Sequence, residues 1–253
     1  MRPTVFHVDK EDDPVGIDAA VVASLARGVP VSYGSEEEGI VVGVTAGGER
    51  IAMHAMEGPR GEAFVASAWP ARCYVAVWDS AQPRASPADR RQLAVEAVQS
   101  AVDMATGADV GNYAVGSSAW ASWLAQLAGA EDTDRGLQHG NGWLYVCLME
   151  HRAQAVKYLR SVAGLFGAPT DAHLCAAADE YERLVQVLAG GSDDVACGGS
   201  QSVAAAAQVA PMAWQGTWGS HTRAEQARRL EHARQLEQSA LQQLALALDA
   251  AKL

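Results

Sequence analysis

Cysteine and histidine side chains offer the chemistry of nucleophiles and metal ligands, and this sequence brings one of each close together. Cys147 and His151 are four residues apart in a segment of helical periodicity, so their side chains could touch. A histidine beside a cysteine can activate the thiol as a nucleophile. Both residues fall on the apolar side of the predicted helix, and no neighbouring group would stabilise an oxyanion. The pattern therefore favours a core role over a catalytic one.

His173 and Cys175 occupy the next predicted helix and are too close in sequence to hold a metal ion alone. Together with Cys147 and His151 they could form a metal site if the two helices packed antiparallel. None of the four cysteines belongs to a CxxC motif, and the sequence contains no P-loop, GxGxxG or GxSxG motif. We therefore expect reduced thiols, no metal and no cofactor.

Arg152 lies beside the apolar face of the same helix as Cys147, and a partly buried guanidinium needs a negatively charged partner. One interpretation is an internal salt bridge to an acid such as Asp179, Glu180 or Glu38. The other interpretation is a clamp for the carboxylate of a ligand. The internal salt bridge is the favoured one.

Seven tryptophans accompany only three phenylalanines in the sequence. Trp120, Trp123 and Trp143 fall on or beside predicted helices. Tryptophan offers a flat apolar surface and a polar N–H group, so these residues can line a small-molecule pocket. Packing in the core is the alternative, and it is the default for aromatic residues at helical spacing.

The composition excludes several classes of protein. The chain has 253 residues, enough for one large domain or two small ones, and its formal net charge is −11. Such an acidic chain is unsuited to nucleic acid and to anionic membrane surfaces. No apolar run approaches the roughly 20 residues of a membrane span. The first residues contain no apolar segment of a secretory signal, so we expect a cytoplasmic protein.

The first 80 residues contain short runs of β-branched residues broken by glycine and proline, and such runs predict strands. One helix, Ile17–Ala26, interrupts them and ends before Gly28 and Pro30. The glycines of Thr45–Arg50 suit a hairpin turn. The predicted strands are Thr4–Val8, Val29–Tyr33, Ile40–Thr45, Arg50–His54, Glu62–Ala66 and Arg72–Trp78.

After residue 85 the chain is rich in alanine and leucine and becomes helical. Ser86, Pro87 and Asp89 together form a typical helix start, with an N-cap, a proline in the first turn and an acid near the positive end of the dipole. The predicted helices are 86–104, Ser117–Ala128, Trp143–Leu165, Asp171–Leu188 and Arg223–Ala251.

These elements predict an α+β protein with a small, mostly antiparallel sheet, then a helical bundle and a long C-terminal helix. We expect a strand-rich part over 1–80 and a helical subdomain packed on it over 81–189. The glycine-rich stretch predicts a linker over 190–222 that carries two exposed tryptophans. The C-terminal helix occupies 223–253.

A helix followed by GVPV at 28–31, a turn and GIVVGVTAGGER at 39–50 resembles the second half of a papain-like fold. It is similar to the bacteriocin-processing peptidases and to the amino-terminal domain of butirosin-type acyltransferases. Later motifs resemble uncharacterised bacterial proteins of the same group. These motifs are WP at Trp69, AWxxW ending at Trp123, and ExRxxAxxYLR, which contains Arg152 and Tyr158. The resemblance covers about residues 16–188.

In those families a histidine precedes the second strand and activates a cysteine on a helix well upstream. Here Glu38 or Gly39 occupies the position of the histidine, Val44 replaces the usual tyrosine, and Cys73 follows the motif. The resemblance therefore implies a papain-like half-sheet without the catalytic pair, and Glu38 would face the cleft in place of the histidine. The alternative is that Glu36–Glu38 are a solvated turn.

Three functions are compatible with these patterns. The first is a non-peptidase protein that binds a small molecule or a peptide. The second is an enzyme of acyl transfer or amide processing whose nucleophile comes from a partner chain. The third is an interaction protein that acts through residues 223–251. For the first function, the candidate ligand-binding residues are Glu38, Trp69, Trp120, Trp123, Trp143, Arg152 and Tyr158.

The sequence also predicts self-association. Strands Val29–Tyr33 and Ile40–Val44 are apolar on both faces, so both faces of the sheet need cover. The helices after Ser86 can cover one face. The helix Arg223–Ala251 can cover the other, either within the chain or across a twofold axis. We therefore expect a homodimer with this helix at or near the interface.

Overall fold

The computed structural model describes residues 4–8, 14–34, 38–54, 64–66, 69, 73–78, 87–191 and 200–251. The chain divides into two compact units, Met1–Arg84 and Ala85–Leu253, which we call the strand unit and the helical unit. The predicted fold class, α+β with an antiparallel sheet followed by helices and a long C-terminal helix, is confirmed. The division lies close to the change in composition near residue 80.

The strand unit contains an antiparallel six-stranded sheet and helix α1 (Pro14–Ala26). The strands are β1 (Thr4–His7), β2 (Val31–Gly34), β3 (Glu38–Val44), β4 (Arg50–His54), β5 (Phe64–Ala66) and β6 (Tyr74–Val77). Their spatial order is β1-β6-β2-β3-β4-β5. The hairpin between β3 and β4 closes over Thr45–Glu49, where Gly48 adopts φ +82°, a conformation that favours glycine.

Helix α1 covers one face of this sheet. Ile17 and Val21 of α1 are buried in one cluster with Val31 and Val41 of the sheet. On the opposite face Ile40 remains 47% exposed within the chain. The cover that the sequence predicts for this second face is therefore not supplied by α1.

The helical unit contains six helices among its described residues. They are α2 (Pro87–Thr106), α3 (Ser117–Gly129), α4 (Arg135–Val162), α5 (Thr170–Leu188), α6 (Ser200–Ala207) and α7 (Ser220–Ala251). Helix α7 packs along α5 and also contacts α2 and α3, whereas α4 packs against α5 and α6. The N-cap of α4 is Asp134, whose side chain accepts a hydrogen bond from the Leu137 N–H at 2.8 Å.

Helix α7 is an integral part of the helical unit and not an appended arm. Leu230, Ala233, Leu244 and Leu248 are all buried in the main hydrophobic core. The apolar stripe of the predicted C-terminal helix is therefore covered within the chain by its own unit.

The expected linker needs a correction over its second half. Residues 200–207 form helix α6, and the segment that follows is packed into the core through Val209, Ala210 and Met212. Trp214 is 68% exposed as expected, but Trp218 is only 1% exposed. The alanine-rich run has high helix propensity, and Ala210 and Met212 after it pack closely against Gly142 of α4. Residues 192–199 lie outside the described residues.

Candidate functional site

A cavity of about 380 Å³ lies within the helical unit, between α3, the first turns of α4 and the segment before α7. Two indole rings, those of Trp123 and Trp218, contribute to its wall, and Gln126 and Asn141 supply polar groups. We call it the tryptophan cavity. None of the lining residues that the structure describes is charged. The remaining ones are Leu127, Gly136, Leu137, Gly140 and Leu144.

The side-chain amides of Asn141 and Gln226 form a buried pair beside this cavity. Asn141 Nδ2 donates to Gln226 Oε1 at 3.1 Å, and Gln226 Nε2 donates back to Asn141 Oδ1 at 2.7 Å. Trp123 Nε1 donates to Asn141 Oδ1 at 2.8 Å, and Trp218 Nε1 donates to Gln226 Oε1 at 3.2 Å. The amide pair therefore fixes both indole rings, since each indole N–H has one acceptor only.

The amide pair also leaves hydrogen-bonding capacity over. Each amide nitrogen carries two N–H groups, and each donates one of them to the other amide. For the second N–H of Asn141 and of Gln226, no acceptor exists among the described residues. Asn141 is 4% exposed and lines the tryptophan cavity, so a ligand oxygen can use its remaining N–H.

The glycines at the start of α4 shape the cavity in two ways. A Cβ atom added at Gly140 would meet nothing within 4 Å, so this glycine borders open space. A Cβ atom at Gly142 would lie 2.8 Å from the Ala210 carbonyl oxygen, so the absence of a side chain here lets the segment after α6 pack against α4. Glycine lowers helix propensity, which explains why the sequence pattern predicts a start at Trp143 although α4 begins at Arg135.

Side-chain hydrogen bonds hold the segment that carries Trp218. Gln138 Nε2 donates to the carbonyl oxygens of Pro211 at 3.1 Å and Gly216 at 2.9 Å. Arg223 Nη1 donates to the Trp218 carbonyl oxygen at 2.7 Å. Because these bonds fix the backbone on both sides of the loop, the Trp218 ring is held in the cavity wall.

Of the predicted ligand-binding tryptophans of the helical unit, only Trp123 lines the tryptophan cavity. Trp120 stacks on Trp123 with ring centroids 6.2 Å apart, and Tyr145 meets Trp123 edge to face at 6.4 Å. Trp143 is half-buried against the main core. Trp120 and Trp143 are therefore supporting residues of the fold in this structure.

Arg152 forms the internal salt bridge that the sequence favours, but with a different acid. Its Nε and Nη2 donate to the two carboxylate oxygens of Glu237 at 2.7 and 2.8 Å. The guanidinium also lies 5.4 Å from the centre of the Tyr181 ring. Burial alone would lower the pKa of Arg152, but the charge and hydrogen bonds of Glu237 raise it above its usual value. The ligand clamp is not needed to explain this residue.

Two predicted site residues belong to the strand unit. Glu38 begins β3, where it pairs with Gly34. Trp69 donates from Nε1 to Asp18 Oδ1 at 3.1 Å, and its ring lies 4.1 Å from the Arg50 guanidinium carbon. Trp69 therefore takes part in a contact within its own unit.

The structure gives no support to the two roles, nucleophile and metal ligand, that the sequence offers for its described cysteines and histidines. Burial, followed by the charge of Glu150, raises the pKa of the Cys147 thiol, which is the opposite of what a nucleophile needs. His173 Nδ1 lies 2.9 Å from Gln243 Oε1 on α7. Among the described residues, no group of three or more His, Cys, Asp or Glu side chains could hold a metal ion. Tyr158 is 40% exposed.

The sequence pattern did not predict Asn141, Trp218 or Gln226 as site residues. A signal was present for the last of them. Gln226 lies one helical turn before Leu230 on the apolar stripe of α7, where a polar side chain needs a buried partner. Glu237, the partner of Arg152, interrupts the same stripe in the same way.

A wider depression of about 610 Å³ follows the second half of α2 and the loop after it. Met104 and Val110 in its lining are 68% and 67% exposed. This depression has no buried polar side chain among its described lining residues. It therefore has less to orient a ligand than the tryptophan cavity has.

No family model matches the chain, and no curated protein matches it. The resemblance to papain-like proteins therefore stays a prediction. None of the helices that the structure describes is long and apolar enough to cross a membrane.

Proposed function

We propose that this protein binds a small, largely apolar molecule in the tryptophan cavity of its helical unit. The observation that carries the proposal is the buried Asn141–Gln226 amide pair, which orients two indole rings at the wall of a cavity. A volume of about 380 Å³ suits a small molecule better than a folded peptide.

The open helix surface at Gly140 supports the same proposal. Glycine inside a helix costs about 0.5–1 kcal/mol relative to alanine, and a Cβ atom at this position would meet no other atom within 4 Å. Here the absence of a side chain keeps the cavity open, whereas at Gly142 it serves close packing.

The two other functions from the sequence remain proposals with less support. An enzyme of acyl transfer or amide processing would need a reactive group at the cavity, and its described lining offers only apolar and amide side chains. Interaction through 223–251 would have to use the exposed side of α7, because Leu230 and Leu244 are buried within the unit. The cavity bears on neither the papain-like ancestry nor the homodimer, and both remain predictions.

A cavity-filling variant tests the proposal. The probes are neutral aromatic fragments, namely 2-phenylethanol and 2-(1-naphthyl)ethanol, detected by saturation-transfer NMR. We expect saturable binding to the parent protein and at least a roughly tenfold loss in Gly140→Leu, because the leucine occupies the cavity. Gln154→Leu, on the exposed side of the same helix, is the matched control and should bind as the parent does.

The folded state of Gly140→Leu should be intact, since leucine is the better helix former. Equal binding by Gly140→Leu and the parent would overturn the proposal, and so would the lack of saturable binding of either probe to the parent.

A further inference from the structure

The hydrogen-bonding groups of the Asn141–Gln226 amide pair are unequally used. Asn141 Oδ1 accepts from Trp123 Nε1 at 2.8 Å and from Gln226 Nε2 at 2.7 Å. Gln226 Oε1 accepts from Trp218 Nε1 at 3.2 Å and from Asn141 Nδ2 at 3.1 Å. A carbonyl oxygen has two lone pairs, so both oxygens are fully used, whereas each nitrogen keeps one N–H. The amide pair therefore offers a ligand donors but no acceptor.

The two indole rings determine which way round the amides lie. An indole Nε1 can only donate, so the amide atom that faces it has to be an oxygen. The two N–H bonds of a planar amide diverge, and the remaining N–H of Asn141 therefore points away from Gln226. Asn141 is the member of the pair that lines the tryptophan cavity, and it is 4% exposed.

The other polar groups of the cavity are either used or open to water. Apart from Asn141, the described lining has polar side-chain atoms only on Gln126 and on the two tryptophans, whose Nε1 groups already donate. Gln126 is exposed, so water can satisfy its amide with or without a ligand. Most residues of the last turn of α3 are also exposed, so water competes for its free carbonyl groups. The remaining N–H of Asn141 is therefore the buried group that can orient a ligand.

Charged side chains come just before the lining residue Gly136 in the chain, but none of them is among the lining residues. Arg135 donates to neutral oxygens of Gln138 and of the segment after α6, so its positive charge adds to the positive end of the α4 dipole. The carboxylates of Glu131 and Asp134 have the opposite sign. All three residues are exposed, and exposed charges are screened by solvent and salt. The buried amide, and not a charge, is therefore the group that selects the ligand.

We infer that the ligand of the tryptophan cavity is a ketone or an ester, whose carbonyl oxygen accepts the remaining N–H of Asn141. This inference rests on the proposed function and names the class of its ligand. A hydroxyl oxygen can accept the same bond, but its own proton finds no acceptor in the amide pair, so an alcohol binds more weakly. A carboxylate would be buried with no cation in the described lining.

Two probes of nearly the same shape test the inference. They are acetophenone and α-methylstyrene, in which a CH₂ group replaces the carbonyl oxygen. The sequence contains two asparagines, Asn112 and Asn141, so ¹⁵N-asparagine labelling of the full chain gives two side-chain NH₂ signals. Asn112 is exposed and serves as the internal reference.

We expect one Nδ2 proton of Asn141 to move downfield in the acetophenone complex relative to the α-methylstyrene complex, because a hydrogen bond to a carbonyl oxygen deshields the proton. Both probes carry the same phenyl ring, so its ring current largely cancels in this comparison. The Asn112 signals should be the same in the two complexes.

Asn141→Asp removes the remaining donor and keeps the acceptor. At pH 5 burial keeps the new carboxyl group protonated, so its O–H replaces the bond to Gln226 Oε1 and no donor is left for a ligand. We expect the affinity ratio of acetophenone to α-methylstyrene to fall about fivefold from the ratio of the parent at the same pH. Asn112→Asp makes the same chemical change at an exposed residue and should keep the ratio of the parent.

Three results would overturn the inference while the proposed function stands: saturable binding of α-methylstyrene alone, equal Asn141 Nδ2 shifts in the two complexes, or an unchanged ratio in Asn141→Asp. Saturable binding of neither probe would instead overturn the proposed function. The Nδ2 shifts are measured on the parent protein, so they decide the question even if Asn141→Asp does not fold.

Discussion

Arg152 of the helical unit and Arg50 of the strand unit are both largely buried, but their surroundings differ. The Nε and Nη2 groups of Arg152 both donate to Glu237, whose side chain is only 7% exposed. Arg50 donates from Nη1 to Asp18 at 2.6 Å, and the Asp18 side chain is 51% exposed. Within the part of the chain that the structure describes, the buried Nε of Arg50 has no hydrogen-bond partner. Two nitrogens of the Arg152 guanidinium therefore donate to its acid, whereas among the described residues Arg50 donates to its acid from one nitrogen.

This difference shows how each unit manages a buried charge. Arg152 and Glu237 connect α4 with α7, so their pairing depends on two helices that are far apart in sequence. Arg50 depends mainly on contact with the Trp69 ring and on a half-exposed acid. A missing hydrogen bond to a buried donor costs about 1–3 kcal/mol. The unpaired Nε of Arg50 therefore destabilises the strand unit locally, whereas the described residues of the helical unit include no such unpaired buried side-chain atom.

The largest expected effect follows from breaking the matched pair. Arg152→Met leaves the buried carboxylate of Glu237 without its cationic partner and with only the Tyr181 hydroxyl beside it, so we expect a loss of about 3–4 kcal/mol in the free energy of unfolding. Glu237→Leu should cost less, about 2 kcal/mol, because Arg152 is 28% exposed and can turn towards water. The measurement is unfolding in denaturant followed by circular dichroism.

The double variant Arg152→Met/Glu237→Leu is the control for this pair. It leaves no buried charge and should be more stable than Arg152→Met alone. A loss below about 1 kcal/mol in Arg152→Met would contradict the view that Glu237 depends on this partner.

Gly142 and Gly140 of helix α4 give a second comparison, because the first is in close contact with a neighbouring segment and the second borders open space. Gly142→Ala places a methyl group 2.8 Å from the Ala210 carbonyl oxygen, and we expect a loss of about 2 kcal/mol. Gly140→Ala meets open space and should stabilise the helical unit by about 0.5–1 kcal/mol. Thermal melting of the two variants side by side measures the difference. Similar effects of both substitutions would refute the close packing at Gly142.

Arg50→Met tests the other half of the comparison of arginines. The substitution removes a half-exposed ion pair but also removes the unsatisfied Nε, so we expect a change of less than about 1 kcal/mol. Hydrogen exchange of the β2 and β3 amides reports on the strand unit by itself. Faster exchange equivalent to a loss of 3 kcal/mol or more, in line with a broken buried pair, would show that Arg50 is as well matched as Arg152.

The smallest effect is expected at Glu225, a partly buried acid of α7 that forms ion pairs with two arginines of the same helix. Hydrogen bonds from Arg228 and Arg229 lower the pKa of Glu225 from 4.5 to about 2. A lowered pKa gives stability that is complete above the unfolded value and is lost as pH falls from about 4.5 towards 2. Glu225→Gln should remove this part of the acid sensitivity. Parent and variant should therefore converge in stability at low pH, and parallel acid titrations would disprove the pairing.

Much of the fold could be predicted from local patterns. Arg50–His54 forms a strand with the predicted bounds, and α5 begins and ends within one residue of its prediction. The start of α4 and the whole of α6 could not be placed, for opposite reasons. Glycines at the start of α4 lower its helix propensity, so the local pattern does not predict the helix that tertiary contacts stabilise there. The alanine run of α6 follows a glycine-rich stretch, and the local pattern therefore predicts a linker where a helix forms.

The site was less predictable, because it depends on which helix faces pack together. Trp123 could be proposed from its type and position, but its acceptor Asn141 and the facing Gln226 are 85 residues apart. Local periodicity contains no information on such a pairing. The partner of Arg152 was missed for the same reason, since Glu237 lies in the C-terminal helix that the sequence pattern treats as an appendage.

Helix α7 has a consequence for how the chain acquires its fold during synthesis. The strands and α1 come from the first 77 residues, so the strand unit can form while later residues are still inside the ribosome. The core of the helical unit includes Leu230, Leu244 and Leu248, which are translated last among its described core residues. Until residue 251 has emerged, α5 lacks its main packing partner. Until then the core residues of the helical unit expose apolar surface, and we expect chaperones to bind nascent chains of this protein mainly during that interval.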